Sequence, residues 1–454
     1  MSYRSYDAVD FNDLDVETLA SDLEEEWTVL ACDVAKGWQY AKVFTLDREA
    51  IEPEELLVEQ KVFRWKHPIE TAEVLEMLEA LPTQRLEAIV EPSGSYPAGW
   101  IESLKATETV EVRKMRGKKT RDSRENYDNA PSMHDAKAAD VIARIHLGGG
   151  SQPWWERNTQ QRRLKAALKD FDRLKSERKA NRGRLEGELA DWWPELTEEL
   201  SLDSTTLLTL AAEFGSPHRL VDNPERAAEV IDRASRGAIG FERIEKMLED
   251  AAHTVGRRPV DEEIRTLQRL ARRQLELKDE IRRQKKRIED LQDGYDVAEN
   301  MTEFSGPLVG ATVSAEVGDP RDFDAAAAYE KAAGLNLVED TSGQQGQHGA
   351  EDETPPMRIS KRGSSRAREQ LYLAAQRWIQ RCPAARAWYR HKVDQHAGCQ
   401  GAKTLSLVAL MRKLIKLLYH IGRGATYKPS KLFDLERLRN RGYEPDGRTR
   451  KAAE

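Results

Sequence analysis

The order of strand-like and helix-like segments between residues 27 and 147 constrains the fold of this chain more than any other feature. Runs rich in β-branched and aromatic residues predict strands, and apolar residues at helical spacing predict helices. The expected order is β-β-β-α-β-α-β-α, with strands at 27–34, 40–46, 59–65, 85–91 and 109–115 and helices at 69–81, 98–105 and 133–147. A hairpin-rich start followed by strand–helix alternation predicts a mixed β-sheet flanked by helices, as in ribonuclease-H-like domains.

The rest of the chain is expected to be mainly helical. Apolar residues from Leu267 to Leu291 recur in steps of three and four, and Gln274 and Gln284 interrupt this heptad seam. The seam predicts a coiled coil, formed either as an antiparallel hairpin within the chain or between two chains. We therefore divide the sequence into an acidic disordered tail (1–26), a first domain with the sheet (27–150), a long coiled-coil helical insertion (151–300), a mainly α-helical third domain (301–425) and a flexible C-terminal tail (426–454).

The formal net charge of −7 is unevenly distributed. Residues 1–26 contain nine acids and one base, a charge of −8, which leaves +1 for the other residues. Two basic clusters, at 112–121 and 358–368, lie among Gly and Ser residues, and such local clusters set the affinity for phosphates. A solvated helix face is the alternative interpretation. The bases expected to bind nucleic acid are Arg113, Lys114, Arg116, Lys118, Lys119, Arg358, Lys361, Arg362, Arg366 and Arg368.

Composition disfavours several other classes of protein. Three scattered cysteines give no disulfide framework and no zinc-site spacing. No apolar run is long enough to span a bilayer, and no Gly-rich phosphate loop is present. We therefore expect a soluble cytoplasmic protein, associated with the nucleoid if it binds DNA.

Acidic residues follow the predicted strands at two places. Asp33 lies at the end of the first strand and Glu91 at the end of the fourth, and in a ribonuclease-H-like sheet these two ends are neighbours. Asp135 and Asp140 lie on the following helix, which would pack across the sheet. Mg²⁺ prefers oxygen ligands, so the four acids form a candidate site for Mg²⁺ (or Mn²⁺). Taken singly, each acid is more often a cap or turn residue.

Several ordered motifs resemble one family. "ACDVAK", "VEPSGSYPAGW" and "SMHDAKAADVIARIH" resemble the DEDD motif of IS110 transposases, whose first domain is RuvC-like. "SGPLVGATVSAEVGDPRDF", "YEKAAGLNLVEDTSG" and "RISKRGSSRAREQLYLAA" resemble that family's serine-containing C-terminal domain, in the same order. The resemblance extends from about residue 27 to 421. It implies a transposase or site-specific DNA recombinase of an insertion sequence.

One departure from the family pattern concerns the last two acids. The family usually spaces them as D-x-x-D, whereas here the residue three after Asp135 is Ala138 and the next acid is Asp140. At about 100° per residue, positions five apart differ by about 140° around a helix. Either the helix starts after Asp135, or only one of the two acids binds metal.

The resemblance also assigns a role to Ser342 in "DTSGQQ". In the family this serine is the nucleophile that attacks a DNA phosphate and holds the broken strand as a phosphoserine ester. A serine hydroxyl needs activation, which the carboxylate-bound metal would supply in a composite site formed by domains of different subunits. The family further implies a structured guide RNA encoded by the element, and homodimers that assemble into tetramers.

Two other functions are compatible with the residues. A metal-dependent, structure-specific DNA nuclease, similar to a junction resolvase, would use the carboxylates alone and would not need Ser342. An inactive coiled-coil scaffold derived from a transposase would need neither.

Overall fold

The computed structural model describes residues 8–21, 23, 27–35, 37–45, 62–91, 97–128, 134–339 and 357–445. The chain divides into two compact units, residues 1–156 and 157–454. The first unit is mixed α/β and the second is mainly helical, so the predicted mixed fold class is confirmed at this level.

The first unit is built on a seven-stranded mixed sheet with the strand order β1-β4-β3-β2-β5-β6-β7. β2 pairs with β3 in antiparallel and with β5 in parallel, and β5 and β6 are also parallel. The strands are β1 Ala8–Asp10, β2 Trp27–Val34, β3 Trp38–Thr45, β4 Val62–Lys66, β5 Arg85–Glu91, β6 Val110–Lys114 and β7 Gln152–Pro153. The helices of this unit are α1 Val16–Ser21, α2 Thr71–Ala80, α3 Pro97–Ala106, α4 Gly117–Asp128 and α5 Asp135–Leu147, and a 3₁₀-helix spans Phe11–Asp13.

Strand β2 is buried on both faces because helices cover both sides of the sheet. Its even-numbered residues, among them Leu30, pack in a core with Val74 of α2 and Trp100 of α3. Its odd-numbered residues face α5, where Ala31 shares a small core with Ile142. Asp33 therefore lies on the α5 face of the sheet, because alternate residues of a strand share one face.

The N-terminal tail differs from the sequence prediction of disorder over 1–26. In its described part, β1 pairs in parallel with β4, and Asp10 accepts a hydrogen bond from Arg64 at 2.5 Å. Phe11, Leu14 and Leu19 pack against the core on the α2 and α3 side. The prediction of disorder rested on the acidic composition of the segment. Its few apolar residues are nevertheless enough to anchor it to the edge of the sheet.

The basic cluster at 112–121 also has more regular structure than its Gly content indicated. β6 covers its first residues, and α4 begins at Gly117. Only Thr120 of α4 is fully buried in the described side chains of this helix. A helix with so little apolar surface gives no periodic signal in the sequence.

The second unit consists of fifteen described helices and one short two-stranded sheet. The first seven helices are α6 Thr159–Trp192, α7 Pro194–Glu199, α8 Thr205–Glu213, α9 Pro217–Val221, α10 Pro224–Ser235, α11 Phe241–Ala252 and α12 Asp261–Asp290. The remaining elements are α13 Asp296–Ser305, α14 Pro307–Glu316, a 3₁₀-helix Pro320–Asp322, α15 Ala326–Ala332, β8 Leu337–Glu339, β9 Met357–Ile359, α16 Ser365–Arg381, α17 Pro383–Gln395, α18 Ala402–Gly422, α19 Pro429–Leu432 and α20 Leu435–Asn440.

The long helices α6 and α12 pack against each other in antiparallel within one chain. The two glutamines that interrupt the heptad seam have specific partners on α6. Gln274 is buried and accepts a hydrogen bond from Asn181 Nδ2 at 2.8 Å, and Gln284 donates to the Ala167 carbonyl at 2.9 Å. These polar contacts favour one register of the pair, because a slip would break both hydrogen bonds.

The C-terminal segment is more ordered than the predicted flexible tail over 426–454. α19 and α20 lie in its described part, up to residue 445, and Phe433 and Leu438 are buried in the core of the unit. Phe433 packs on Trp378 of α16 and Trp388 of α17. Among the helices described, none is both long and apolar enough to cross a membrane.

Candidate functional site

The predicted meeting of two strand ends is present in the first unit. Asp33 is the next-to-last residue of β2 and pairs in register with Glu91, the last residue of β5. Both acids are on neighbouring parallel strands, so their side chains emerge side by side. Asp33 is 6% exposed, and Glu91 is half-buried.

The electrostatic environment of this pair is unfavourable for two negative charges. Burial raises the pKa of Asp33 to about 7; the Glu91 charge adds to the increase, Arg124 opposes it, and Asp135 adds further. Oxygen Oε2 of Glu91 is buried and has no hydrogen-bond partner among the described residues. A buried carboxylate oxygen without a donor is costly unless a cation or a donor is bound there.

Two residues next to the Asp33–Glu91 pair, Arg124 and Gly117, lie on α4, a helix that the sequence analysis did not predict. Nη2 of Arg124 lies 3.7 Å from Oδ2 of Asp33. Gly117, the first residue of α4, approaches Glu91 so closely that a Cβ at this position would lie 2.7 Å from Oε1. The absence of a side chain at Gly117 therefore makes room for the Glu91 carboxylate.

The structure separates the two acids of α5. Asp135 is the first residue of the helix, where His134 provides the N-cap, and its charge acts on Asp33. Oδ1 of Asp140 instead accepts a 2.8 Å ion pair from Nζ of Lys42, a buried lysine of β3. Asp140 thus has a structural partner, as the five-residue spacing from Asp135 allowed. A lysine inside the apolar strand "YAKVFTL" was the signal in the sequence that could have revealed this pair.

No three acidic, histidine or cysteine side chains within the described residues are arranged to hold one metal ion together. The donor set is therefore the Asp33–Glu91 pair, with Asp135 close enough to influence Asp33 electrostatically. Mg²⁺ is commonly bound by one or two carboxylates and completes its shell with water or substrate phosphate. Two adjacent carboxylates, one with a buried oxygen without a partner, fit such a site.

The predicted nucleic-acid contacts of the first unit are mostly engaged in internal hydrogen bonds. Arg113 donates to Ser151 at 3.0 Å and to Glu111 at 3.1 Å. Arg116 donates to Gln152, and Lys119 donates to the Gly150 carbonyl, each at 3.0 Å. Lys114 is exposed with its ammonium 5.6 Å from the Trp154 ring, and Lys118 lies in the first turn of α4.

The predicted contacts of the second unit differ in exposure. Arg366 forms ion pairs with Asp172 at 2.6 Å and Glu316 at 2.7 Å, and Arg368 donates to the Gly363 carbonyl at 2.7 Å. These two arginines support the fold of the unit. The exposed members of the cluster are Arg358, Lys361 and Arg362.

Ser342 lies outside the described residues, in the segment 340–356. The ends of this segment are held together, because Glu339 of β8 pairs with Met357 of β9. The turn before β8 and the turn after β9 also pack closely together: a Cβ on Gly363 would lie 2.2 Å from the Ala332 carbonyl oxygen. The paired strands β8 and β9 form a short stem that flanks, in sequence, the segment with the predicted nucleophile.

Residues 305–390 match the family model described as "Transposase IS116/IS110/IS902 family". This match supports an IS110-family transposase. The matched region includes α14, the β8–β9 stem, the segment with Ser342 and the basic cluster at 358–368, and it does not include the carboxylates of the first unit. It supports transposase or recombinase function, and DNA as a partner. No curated protein matches the chain.

Proposed function

We propose that this chain is a transposase that cleaves and rejoins DNA strands, using a metal-binding carboxylate pair in the first unit and Ser342 as the nucleophile. The observation that carries the proposal is the pairing of Asp33 with Glu91 at the ends of two parallel strands, where the buried Oε2 of Glu91 has no donor within the described part of the chain. The match of residues 305–390 to a transposase family supports the choice of DNA as substrate.

In this proposal Asp33 and Glu91 bind Mg²⁺ (or Mn²⁺), and Asp135 orients a water ligand or joins them when substrate is bound. The metal would activate an attacking oxygen and stabilise the leaving oxygen of a phosphodiester. Asp140 is outside this set, because Lys42 already neutralises it. Arg124, next to Asp33, is suited to contact a non-bridging phosphate oxygen, since its guanidinium can donate two hydrogen bonds.

The serine step follows from the chemistry of phosphodiesters. Ser342 Oγ forms a bond to phosphorus as the bond to the departing strand breaks; the serine loses its proton and the departing oxygen gains one. The phosphoserine ester conserves the energy of the broken bond. A second strand can therefore displace the serine without ATP, which regenerates the hydroxyl.

The recognition of the element and of its target is a further part of the proposal. The family resemblance supports a structured guide RNA encoded with the transposase, and a homodimer that assembles into a tetramer. The exposed bases Lys361 and Arg362, beside the serine segment in sequence, are suited to contact the phosphates of either nucleic acid.

The experiment that tests the proposal is excision in cells. The gene is expressed with its native flanking DNA, and PCR across the outward-facing ends detects a joined circular junction. We expect a junction with the wild type and with the neighbouring control Thr341→Ala, and none with Ser342→Ala. A junction that persists in Ser342→Ala would refute Ser342 as the nucleophile and favour strand joining by the carboxylates alone, and a junction that persists in Asp33→Asn as well would exclude the metal site.

A further inference from the structure

The second unit contains a cavity of about 460 Å³ that the proposed chemistry does not use. The end of α13, the start of α14, one face of α16 and the segment around Tyr427 enclose it. Its volume is within the range of typical ligand sites, about 300–1,000 Å³.

Two arginines lie on one side of this cavity. Arg377 and Arg381 are one turn apart on α16, and both are exposed. Arg377 has only a long contact, 3.4 Å, from Nε to the Leu373 carbonyl. Among the described residues, no carboxylate lies within ion-pair distance of either guanidinium, although the exposed Glu303 is also at the cavity.

Three aromatic side chains also line the cavity, and one of them, Trp378, lies on α16 between the two arginines. Phe304, Trp378 and Tyr427 contact one another edge-on, with ring centroids 5.0–5.9 Å apart. Trp378 is 8% exposed, and the other two rings are half-buried. The three rings provide an apolar surface on which a base or a sugar can pack, next to two cations that can bind a phosphate.

The start of α14 adds to the positive potential. Gly306 precedes this ten-residue helix with φ +90°, provides no side-chain cap, and is followed by a first turn without an acidic residue. Such a helix start carries a partial positive charge and favours an anion nearby. It strengthens a site that the arginine pair and the cavity already define.

We infer that this cavity binds one nucleotide of a single strand of the substrate nucleic acid. Its phosphate would lie at Arg377 and Arg381, and its base or sugar would pack against the three aromatic rings. Cations beside stacked rings are the usual means by which proteins bind single strands without reading their sequence. The inference rests on the proposed function in one respect only, the choice of a nucleic acid as ligand. It does not depend on the metal, on Ser342 or on strand cleavage.

The three cysteines of the chain provide an internal test. Cys382 is half-buried at the cavity, with Sγ 3.4 Å from the Tyr427 hydroxyl, Cys399 is exposed elsewhere, and Cys32 is buried in the first unit. Alkylation rates are followed by mass spectrometry in EDTA, with a single-stranded DNA, the RNA of the same sequence, and a DNA duplex. We expect a single strand to slow alkylation of Cys382 several-fold and to leave Cys399 unchanged. Whether the DNA or the RNA protects better identifies the strand that occupies the cavity.

A charge-removal experiment checks the phosphate contact. Arg377→Gln/Arg381→Gln should weaken single-strand binding about tenfold and reduce the salt dependence of log Kd by about 0.7, the contribution of the one phosphate that the two arginines share. The matched control is Arg265→Gln/Arg269→Gln, which removes two exposed arginines with the same spacing on α12.

The outcomes separate this inference from the proposed function. Equal Cys382 rates with and without every nucleic acid, or equal effects of the two double substitutions, would overturn the inference even if excision depends on Ser342. Protection by the duplex alone would also overturn it, because paired bases cannot pack on the rings. Protection of Cys382 in Ser342→Ala and Asp33→Asn would sustain it even if the catalytic proposal fails.

Discussion

Glu87 and Glu91 lie four residues apart on the same strand and the same face of the sheet, yet their surroundings are opposite. Glu87 is 3% exposed and surrounded by donors: Arg85 at 3.0 Å, His146 at 3.3 Å and Arg113 at 3.6 Å. Glu91 lies beside another carboxylate, Asp33, and one of its buried oxygens has no partner among the described residues.

The difference indicates what each acid contributes. At Glu87, burial and the charge of Arg113 lower the pKa of His146 to about 4, so the ring is neutral at pH 7. The neutral ring can donate to Glu87 from Nε2 and accept from the Ser151 hydroxyl at Nδ1, 2.8 Å away. Every group in this network has a partner, and it connects α5 to the sheet. Glu91 has no comparable set of donors among the described residues. A buried polar group without a hydrogen-bond partner in the protein is a candidate for binding a ligand.

The largest expected effect is the contrast between Glu91→Gln and Glu87→Gln. We expect Glu91→Gln to lower Mn²⁺ or Mg²⁺ affinity by more than about 100-fold, since even residues outside the direct ligands contribute 10–100-fold. Its free energy of unfolding without metal should change by less than about 1 kcal/mol, because the substitution removes a repulsive charge. Glu87→Gln should instead lose about 2–3 kcal/mol of stability, because the amide removes the buried negative charge and turns an NH2 group toward the Arg85, Arg113 and His146 donors, and it should keep metal affinity.

Titration calorimetry and urea unfolding of the two variants measure both quantities. Equal losses of stability with equal metal affinity would remove the distinction between the two acids. The same result would also remove the main support for a metal site at Asp33 and Glu91.

A second expected effect is on pH dependence. The pKa of Asp33 is raised from 3.8 to about 7, so between these values the folded chain holds a proton that the unfolded chain has lost. The contribution of Asp33 to the stability of the metal-free protein should therefore fall as pH rises from about 4 to 7. A bound cation must displace this proton, so metal affinity should rise about tenfold per pH unit up to about pH 7 and then level off.

Calorimetric titrations with Mn²⁺ at pH 5.5, 6.5, 7.5 and 8.5 measure this dependence. His146 has the opposite shift, so its own contribution to stability should fall as pH drops from about 6.5 to 4 and should offset the contribution of Asp33 in that range. His146→Gln should remove that acid-side loss and leave the pH dependence of metal affinity intact. If His146→Gln changes the metal titration instead, the two regions are coupled and the comparison fails.

The sequence predicted the carboxylate pair because it depends on two regular features. Strand 85–91 has the predicted bounds, and parallel strands bring their C-terminal ends to one edge, so Asp33 and Glu91 could be placed together without coordinates. What surrounds the pair could not be predicted. α4 has almost no apolar periodicity, so Arg124 and Gly117 gave no signal, and Lys42–Asp140 joins residues 98 positions apart.

The difference between regular local patterns and tertiary contacts also explains why disorder was predicted for residues 1–26 and a flexible tail for 426–454. β1 has three residues and forms only because the edge of β4 and the Asp10–Arg64 contact are available. α20 is likewise short, and Leu438 is buried by the helices around it. Segments of this length are stabilised by tertiary contacts, whereas local propensity alone leaves them unfolded.

The smallest expected effect is the most specific test of the difference between Glu87 and Glu91, because the substitution moves the Glu91 carboxylate without removing it. In Gly117→Ala, the new methyl group would lie 2.7 Å from Oε1 of Glu91, so the carboxylate must shift. The end of a glutamate side chain moves at little cost, and alanine is favourable in a helix, so stability should stay within about 1 kcal/mol. We expect metal affinity to fall about 3- to 10-fold, the midpoint of its pH dependence to move, and Glu87 to be unaffected. Gly183→Ala on α6, where a Cβ would meet open space, is the matched control and should leave metal affinity and the midpoint of its pH dependence unchanged. If Gly117→Ala binds metal like the wild type, the position of the Glu91 carboxylate is unimportant, and Glu91 would not be a metal ligand.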